Sequence, residues 1–123
     1  MDKMRPINTD KLAYSRNLTF AYNRFNRKYF GGRCPNLEVY FEPMKSVYTK
    51  RGLETRSGYT SIGPRSRIYF IAINNCLRRF TELAEVVLLH EMIHARYPQI
   101  GHGSVFQKER RRLVKAGALD EII

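Results

Sequence analysis

Residues 83–96 are apolar almost all round a helical wheel, and Pro98 ends the stretch. A helix of that composition has no polar face to turn to water, so it has to be buried among the other elements of a domain. The same stretch nevertheless contains His90, Glu91 and His94. Residues four apart on a helix share a face, so both imidazoles can reach one ion, with Glu91 close to the open side of that ion. This helix is therefore predicted to be both the centre of the core and the site of the chemistry.

The remaining histidine of the sequence, His102, lies eight residues after His94, between two glycines. The order H-E-x-x-H is typical of zinc hydrolases, in which the glutamate is the general base. Three histidines would complete a catalytic zinc site and leave a fourth position open. We therefore predict His90, His94 and His102 as ligands of Zn2+ and Glu91 as the catalytic residue.

Two alternatives to this site remain open. The histidines could be core residues bonded to backbone carbonyls, with Glu91 paired to an arginine from elsewhere in the fold. Glu109 competes with His102 as third ligand, because one zincin class uses a glutamate from a following helix. The flanking glycines favour His102, since they let its backbone approach closely. The metzincin spacing fails, because Tyr97 and Ile100 stand where its glycine and histidine would be.

Length and composition indicate one compact domain over residues 1–123, with a core of about residues 10–117. Hydrophobic residues make up 43% and charged residues 27%, as expected of a folded globular protein. Cys34 and Cys76 are too few for a disulfide framework, so both are predicted to be reduced and structural.

The sequence shows no sign of a membrane or secretory segment. No apolar run approaches the roughly 20 residues that cross a bilayer, and the first residues lead into no apolar signal region. We expect an intracellular protein, cytoplasmic or associated with the nucleoid or nucleus, that is not secreted.

The charge of the chain is strongly positive. Lys and Arg number 22 against 11 Asp and Glu, a net charge of +11. Such an excess creates a field that attracts polyanions, so DNA is an expected partner. The alternatives are that basicity only aids solubility or favours acidic protein partners.

Periodicity predicts a helix, then strands, then two helices. The first helix is amphipathic, with Thr9 or Asp10 as N-cap, Tyr14 opening its apolar stripe and a glycine pair ending it. Thr81 is the predicted N-cap of the histidine helix. Ser104 and Gln107 form a predicted capping box for a last helix that extends to about residue 116. Strands are predicted over residues 37–42, 47–49, 58–62 and 67–73, the last of which is apolar enough to be central.

These elements predict an α+β fold. It would be a minimal zincin-like metalloprotease core with an N-terminal helix, a small mostly antiparallel sheet, the buried HExxH helix and a C-terminal helix. A substrate peptide could add as a further strand along the sheet edge above the metal. Tyr59, Tyr97 and Arg96 are candidates for a second group that stabilises the transition state.

Several segments resemble the SprT-like, or Spartan-type, zinc metalloprotease domain. Residues 89–95 and 101–106 are similar to its H-E-x-[IVLC]-H-A and H-G-x-x-F motifs, and residues 26–32 to its N-x-x-x-F-G-G turn. The resemblance covers about residues 18–114. It implies a zinc endopeptidase that acts on DNA-bound or DNA-crosslinked proteins in crosslink repair, with activity promoted by DNA. It also implies that His90, His94 and His102 bind zinc and that Glu91 is catalytic.

The resemblance has one departure. SprT-like proteins commonly carry a further zinc-ribbon or DNA-binding module, for which this sequence lacks the cysteines. DNA contact is then expected from the basic surface of the core or from a partner. Two other functions stay open: a nucleic-acid-binding module with a structural zinc and no peptidase activity, and a zinc peptidase with no role on nucleic acid.

Overall fold

A computed structural model describes residues 12–99 and 101–122 as an α+β domain. The described part contains four helices and a small mixed sheet beside a separate two-stranded hairpin. The helices are α1 (Arg16–Tyr29), α2 (Thr81–Arg96), α3 (Ser104–Lys115) and α4 (Ala118–Ile122). The strands are β1 (Ala13–Tyr14), β2 (Glu38–Glu42), β3 (Ser46–Thr49), β4 (Gly52–Thr55), β5 (Gly58–Ile62) and β6 (Ile68–Asn74).

The sheet has the strand order β1-β2-β6-β5. Its two outer pairs are antiparallel, as predicted, but the central pair β2 and β6 runs parallel, with Val39 opposite Ile71. The parallel pair arises because the chain passes from β2 through the β3–β4 hairpin and β5. It then returns as β6, which lies between β2 and β5. The predicted central position of β6 is confirmed. Strand β5 is consequently an edge of this sheet.

Helix α1 begins about one and a half turns later than the sequence predicts. Ser15 is its N-cap, and the Ser15 hydroxyl accepts a hydrogen bond from the Leu18 amide at 3.1 Å. Tyr14 does not open the apolar stripe, because it lies in β1 and pairs with β2. The predicted caps Thr9 and Asp10 lie outside the described residues. The buried face of α1 comprises Leu18, Ala21, Tyr22, Phe25 and Tyr29.

The predicted glycine pair does end α1. Gly31 and Gly32 have φ angles of 60° and 74°, a left-handed conformation that residues with a side chain adopt at a cost. Asn26 holds the turn closed, since its side chain donates to the Cys34 carbonyl at 3.1 Å and accepts from the Cys34 amide at 3.0 Å. The turn places Arg33 at the surface and sends the chain toward β2.

Helix α2 is the centre of the core, as its composition predicted. Leu88, Met92 and Ile93 are at most 1% exposed, and the helix contacts α1, the sheet, α3 and α4. Gly58 of β5 lets sheet and helix approach closely: a Cβ there would lie 2.9 Å from the Ala72 carbonyl oxygen and 3.1 Å from Val87. The histidine helix is therefore fixed on several sides.

Two predicted caps are wrong. Thr81 is the first helical residue of α2, and Phe80 is the N-cap. The Phe80 carbonyl already accepts a hydrogen bond from the Ala84 amide, and Phe80 follows a tight 3₁₀ turn. Ser104 likewise belongs to α3, whose N-cap is a glycine without a side-chain hydrogen bond. The Gln107 side chain instead donates to the His102 carbonyl at 3.3 Å, so it supports the preceding connection and not the helix end.

Helix α4 was not predicted from the sequence. Gly117, with a φ of 89°, turns the chain after α3 and lets α4 fold back against α1. Glu121 joins the two helices, since its carboxylate accepts from the Tyr29 hydroxyl at 2.8 Å and pairs with Lys28 and Arg24. These contacts link positions more than ninety residues apart.

Candidate metal centre

Three imidazoles from two segments converge at one point. His90 and His94 come from α2, and His102 comes from the connection between α2 and α3. The His102 Nε2 atom lies 3.2 Å from the Nε2 atoms of both His90 and His94. One ligand atom from each residue falls within 4.8 Å of the others, close enough to bind a metal ion. The three predicted ligands are thus brought together.

Hydrogen bonds among the imidazoles cannot give every Nε2 atom a good partner. In a neutral imidazole, Nε2 carries either one proton or one lone pair, so His102 Nε2 can form a good hydrogen bond to only one neighbour. Three nitrogen atoms around a metal at about 2.0–2.1 Å in tetrahedral geometry lie about 3.3 Å apart. The two observed separations of 3.2 Å fit that geometry. The site is therefore suited to a cation held by three lone pairs.

A single ring supports all three imidazoles. Phe106 of α3 is 2% exposed, and its centroid lies 4.8 Å from those of His90 and His102 and 5.0 Å from that of His94. The Phe106 and His94 rings stack at 29°, whereas the His102 ring meets Phe106 edge-on. Phe106 therefore restricts the orientations of the imidazoles. Phe106 is the phenylalanine of the H-G-x-x-F resemblance, but its contact with the histidines was not predicted from the sequence.

The environment of His90 and His94 favours their neutral, metal-binding form. Burial, assisted by the neighbouring imidazoles, lowers the pKa of His90 to about 4. Burial and the proximity of His102 also lower the pKa of His94. A metal takes only the deprotonated nitrogen, so these shifts reduce competition from protons.

Glu91 is buried beside this group and is held by β5. It is 6% exposed, and the Thr60 hydroxyl donates to its Oε1 at 2.9 Å. Thr60 Oγ1 also lies 2.9 Å from the Glu91 backbone carbonyl, so one hydroxyl contacts the residue at two points. Burial raises the pKa of the Glu91 carboxyl, and the Thr60 hydrogen bond and the charge of Arg56 partly oppose that rise. The carboxyl is a stronger base than an exposed glutamate.

The site opens into a cavity of about 270 Å³. One wall is the edge strand β5, with Gly58, Tyr59 and Thr60, and the other is formed by Glu91 and the histidines. The three histidines, Glu91 and the edge strand therefore line the same cavity.

The three candidates for a second group that stabilises the transition state lie in two different places. Tyr59 lines the cavity, although its hydroxyl donates to Glu42, and burial raises its pKa. Arg96 and Tyr97 instead line a different cleft, on the α1 side of the connection between α2 and α3. Only Tyr59 of the three lies beside Glu91.

The competing third ligand also lies elsewhere. Glu109 accepts a hydrogen bond from the Arg112 Nε at 2.9 Å and lines the same cleft as Arg96. Among the described residues, the potential metal ligands that cluster are the three histidines, without Glu109. The placement favours His102 over Glu109, as the flanking glycines suggested.

Both cysteines are free thiols. Cys34 is buried against the Met92 carbonyl, and burial raises its pKa to about 12, whereas Cys76 is exposed. Cys34 therefore has the environment of an inert core thiol, as predicted, whereas the predicted structural role is wrong for Cys76, because it is exposed.

No described helix combines the length and the apolar composition that crossing a bilayer requires. Comparison of the chain with family models, curated proteins and solved structures finds no match.

Proposed function

We propose that this chain is a zinc-dependent endopeptidase of the SprT-like type with a zincin-like core, and that it acts on DNA-bound or DNA-crosslinked proteins. The observation that carries the proposal is the convergence of His90, His94 and His102 beside buried Glu91, in a cavity along a sheet edge. Nitrogen-only ligation near tetrahedral spacing is characteristic of zinc. When bound, zinc polarises a carbonyl and lowers the pKa of water toward 7.

Glu91 is the general base of the proposed reaction. Burial raises the pKa of its carboxyl toward the working pH, which is where a base is most effective. Thr60 fixes one carboxylate oxygen by its hydrogen bond, so the other oxygen is available to accept a proton from water in the cavity. The same residue can then return the proton to the departing amine.

The edge strand provides the binding surface for the peptide. Strand β5 pairs with β6 on one side, and its residues 58–60 line the cavity of the histidines. A peptide that adds to the other side of β5 would be held by main-chain hydrogen bonds, which require no particular sequence. Its scissile carbonyl would then pass beside Glu91, with Tyr59 close enough to donate a hydrogen bond after rotation away from Glu42.

An alternative is a nucleic-acid-binding module with a structural metal. The net charge of +11 is compatible with it, but a structural site closes all four positions with protein ligands. Here the three histidines line a cavity of about 270 Å³ together with Glu91. An accessible site supports the catalytic function over the structural one.

The test is Glu91→Gln, which keeps the volume of the side chain and removes its basicity. Glu82→Gln, an exposed position on the same helix, is the matched control. We expect the Glu91 variant to retain one zinc per chain and to lose cleavage of a DNA-bound protein by about a thousandfold or more. The control should cleave like the unmodified chain. Cleavage that survives in Glu91→Gln, or its absence from the zinc-loaded unmodified chain, would refute the peptidase assignment.

A further inference from the structure

A second cleft of about 550 Å³ lies where α1, α2 and α3 meet. We call it the basic cleft, because four cations line it: Arg33, Arg96, Lys108 and Arg112. They come from three separate parts of the chain: the glycine turn after α1, the last turn of α2 and the length of α3 from Lys108 to Arg112. Glu109 is the cleft's carboxylate and pairs with Arg112.

The basic cleft has an excess of positive charge. Arg33, Arg96 and Lys108 form no ion pair with any residue that the structure describes, so their charges are not neutralised locally. Three unpaired cations around one concave surface raise the local potential more than the same charges scattered over a convex surface. An anionic ligand would relieve their mutual repulsion.

Two of the guanidinium groups are held in place by aromatic rings. The Arg96 Cζ lies 4.7 Å from the centroid of Tyr97, and the Arg112 Cζ lies 5.7 Å from that of Phe30. Ring contacts of this kind limit the rotation of a side chain before it binds. Each contact also covers one face of its ring, and Phe30 is only 5% exposed, so Phe30 is not a free platform on which bases could stack. The cleft is arranged for anionic groups and not for bases.

We infer that the basic cleft binds the phosphate backbone of nucleic acid. This inference rests on the proposed function, for which it names the surface that contacts DNA. A duplex carries a negative charge about every 1.7 Å of its axis, a density that several cations in one cleft can match. Arginine forks suit phosphate oxygens, and a free phosphate would fill only part of about 550 Å³.

The position of the basic cleft relative to the metal centre fits this role. Arg96 and Tyr97 of the cleft come two and three residues after His94, and Val105 and Lys108 come three and six residues after His102. The same connection therefore borders both surfaces. A backbone held in the cleft would keep a protein attached to that DNA close to the histidines and Glu91, without any contact to its bases.

The test compares two double variants that remove the same charge. Arg33→Ser with Lys108→Ser acts on the cleft, whereas Arg79→Ser with Lys115→Ser removes two exposed cations outside it. The probe is a fluorescein-labelled duplex of about 20 base pairs, and its anisotropy is followed at about 50 to 200 mM salt. Zinc content, measured on every variant, shows that the fold and the metal centre are intact.

For the cleft variant we expect Kd at about 100 mM salt to rise about tenfold and the slope of log K against log salt to flatten by about two. The control should shift Kd by less than about threefold at an unchanged slope. Equal losses in both variants would overturn the inference while leaving DNA as a partner.

Two further outcomes would overturn it differently. If a poly-glutamate peptide displaced the duplex at matched charge concentration, the cleft would belong to acidic proteins. If the unmodified chain bound no duplex, both the cleft inference and the DNA part of the proposed function would fail. The peptidase assignment, tested separately with Glu91→Gln, would stand in each case.

Discussion

The metal centre and the basic cleft border the same connection between α2 and α3, yet they are built in opposite ways. The metal centre brings the Nε2 atom of His102 within 3.2 Å of those of His90 and His94 and packs the three imidazoles against Phe106. The basic cleft spreads positively charged side chains around about 550 Å³ and limits the rotation of two of them by ring contacts. The proposed metal site depends on the geometry of its ligands, whereas the proposed phosphate site depends on charge. Residues beside one connection contribute to both.

The largest expected difference between the two regions comes from Phe106→Leu, which should weaken zinc binding without weakening duplex binding. Loss of the ring removes the support shared by the three imidazoles, so zinc affinity should fall about 10- to 100-fold, as for other residues that orient metal ligands. Duplex affinity should stay within about twofold, because phosphate binding depends on charge. Zinc competition with a chromophoric chelator and duplex anisotropy measure the two effects.

Phe25→Leu is the matched control for that variant. Phe25 of α1 is fully buried, and its described ring contacts are with Arg24 and Tyr29, so its substitution should cost about 1 to 2 kcal/mol of stability without removing a contact of the metal centre. Its zinc affinity should equal that of the unmodified chain. If both leucine variants lost zinc equally, the effect would report general loosening of the core, and Phe106 would have no orienting role.

A smaller effect is expected from pH on the metal-free protein. The folded-state pKa of His90 is about 4, below the value near 6.5 of an unfolded chain. Between those values the unfolded state binds more protons, so the free energy of unfolding should decrease as the pH falls from about 6.5 toward 4. Urea unfolding at several pH values in the presence of a chelator measures this slope.

The two regions should respond differently to this titration. His90→Asn removes the titrating imidazole and should make the decrease shallower. The double cleft variant leaves all three histidines unchanged, so it should keep the slope of the unmodified chain. An unchanged slope in His90→Asn would contradict the lowered pKa of that histidine.

The sequence predicts the metal centre because most of its information is local. A four-residue spacing places His90 and His94 on one face of any helix, and two glycines around His102 allow its close approach. The support from Thr60 and Phe106 was missed, since it depends on which strand and which helix pack against α2. Two signals were available: Gly58, because a glycine in a predicted strand indicates a close approach of backbone, and Phe106, which is the phenylalanine of the H-G-x-x-F resemblance.

Elements whose pairing is non-local were predicted less well. The strand that contains Tyr14 forms only by pairing with β2, and α4 is held by contacts of Glu121 with residues on α1. The parallel arrangement of β2 and β6 follows from the path of the whole chain between them. The basic cleft is also non-local, because its cations are dispersed in sequence and converge only when α1, α2 and α3 pack together.

The central claim is that His90, His94 and His102 hold one metal ion. Its most direct test is the metal content of the purified chain beside His102→Ala and Glu109→Ala, measured by mass spectrometry after dialysis against a weak chelator. We predict one zinc per chain in the unmodified protein and in Glu109→Ala, and a loss of about tenfold or more in His102→Ala. Full zinc content in His102→Ala with loss in Glu109→Ala would contradict this assignment.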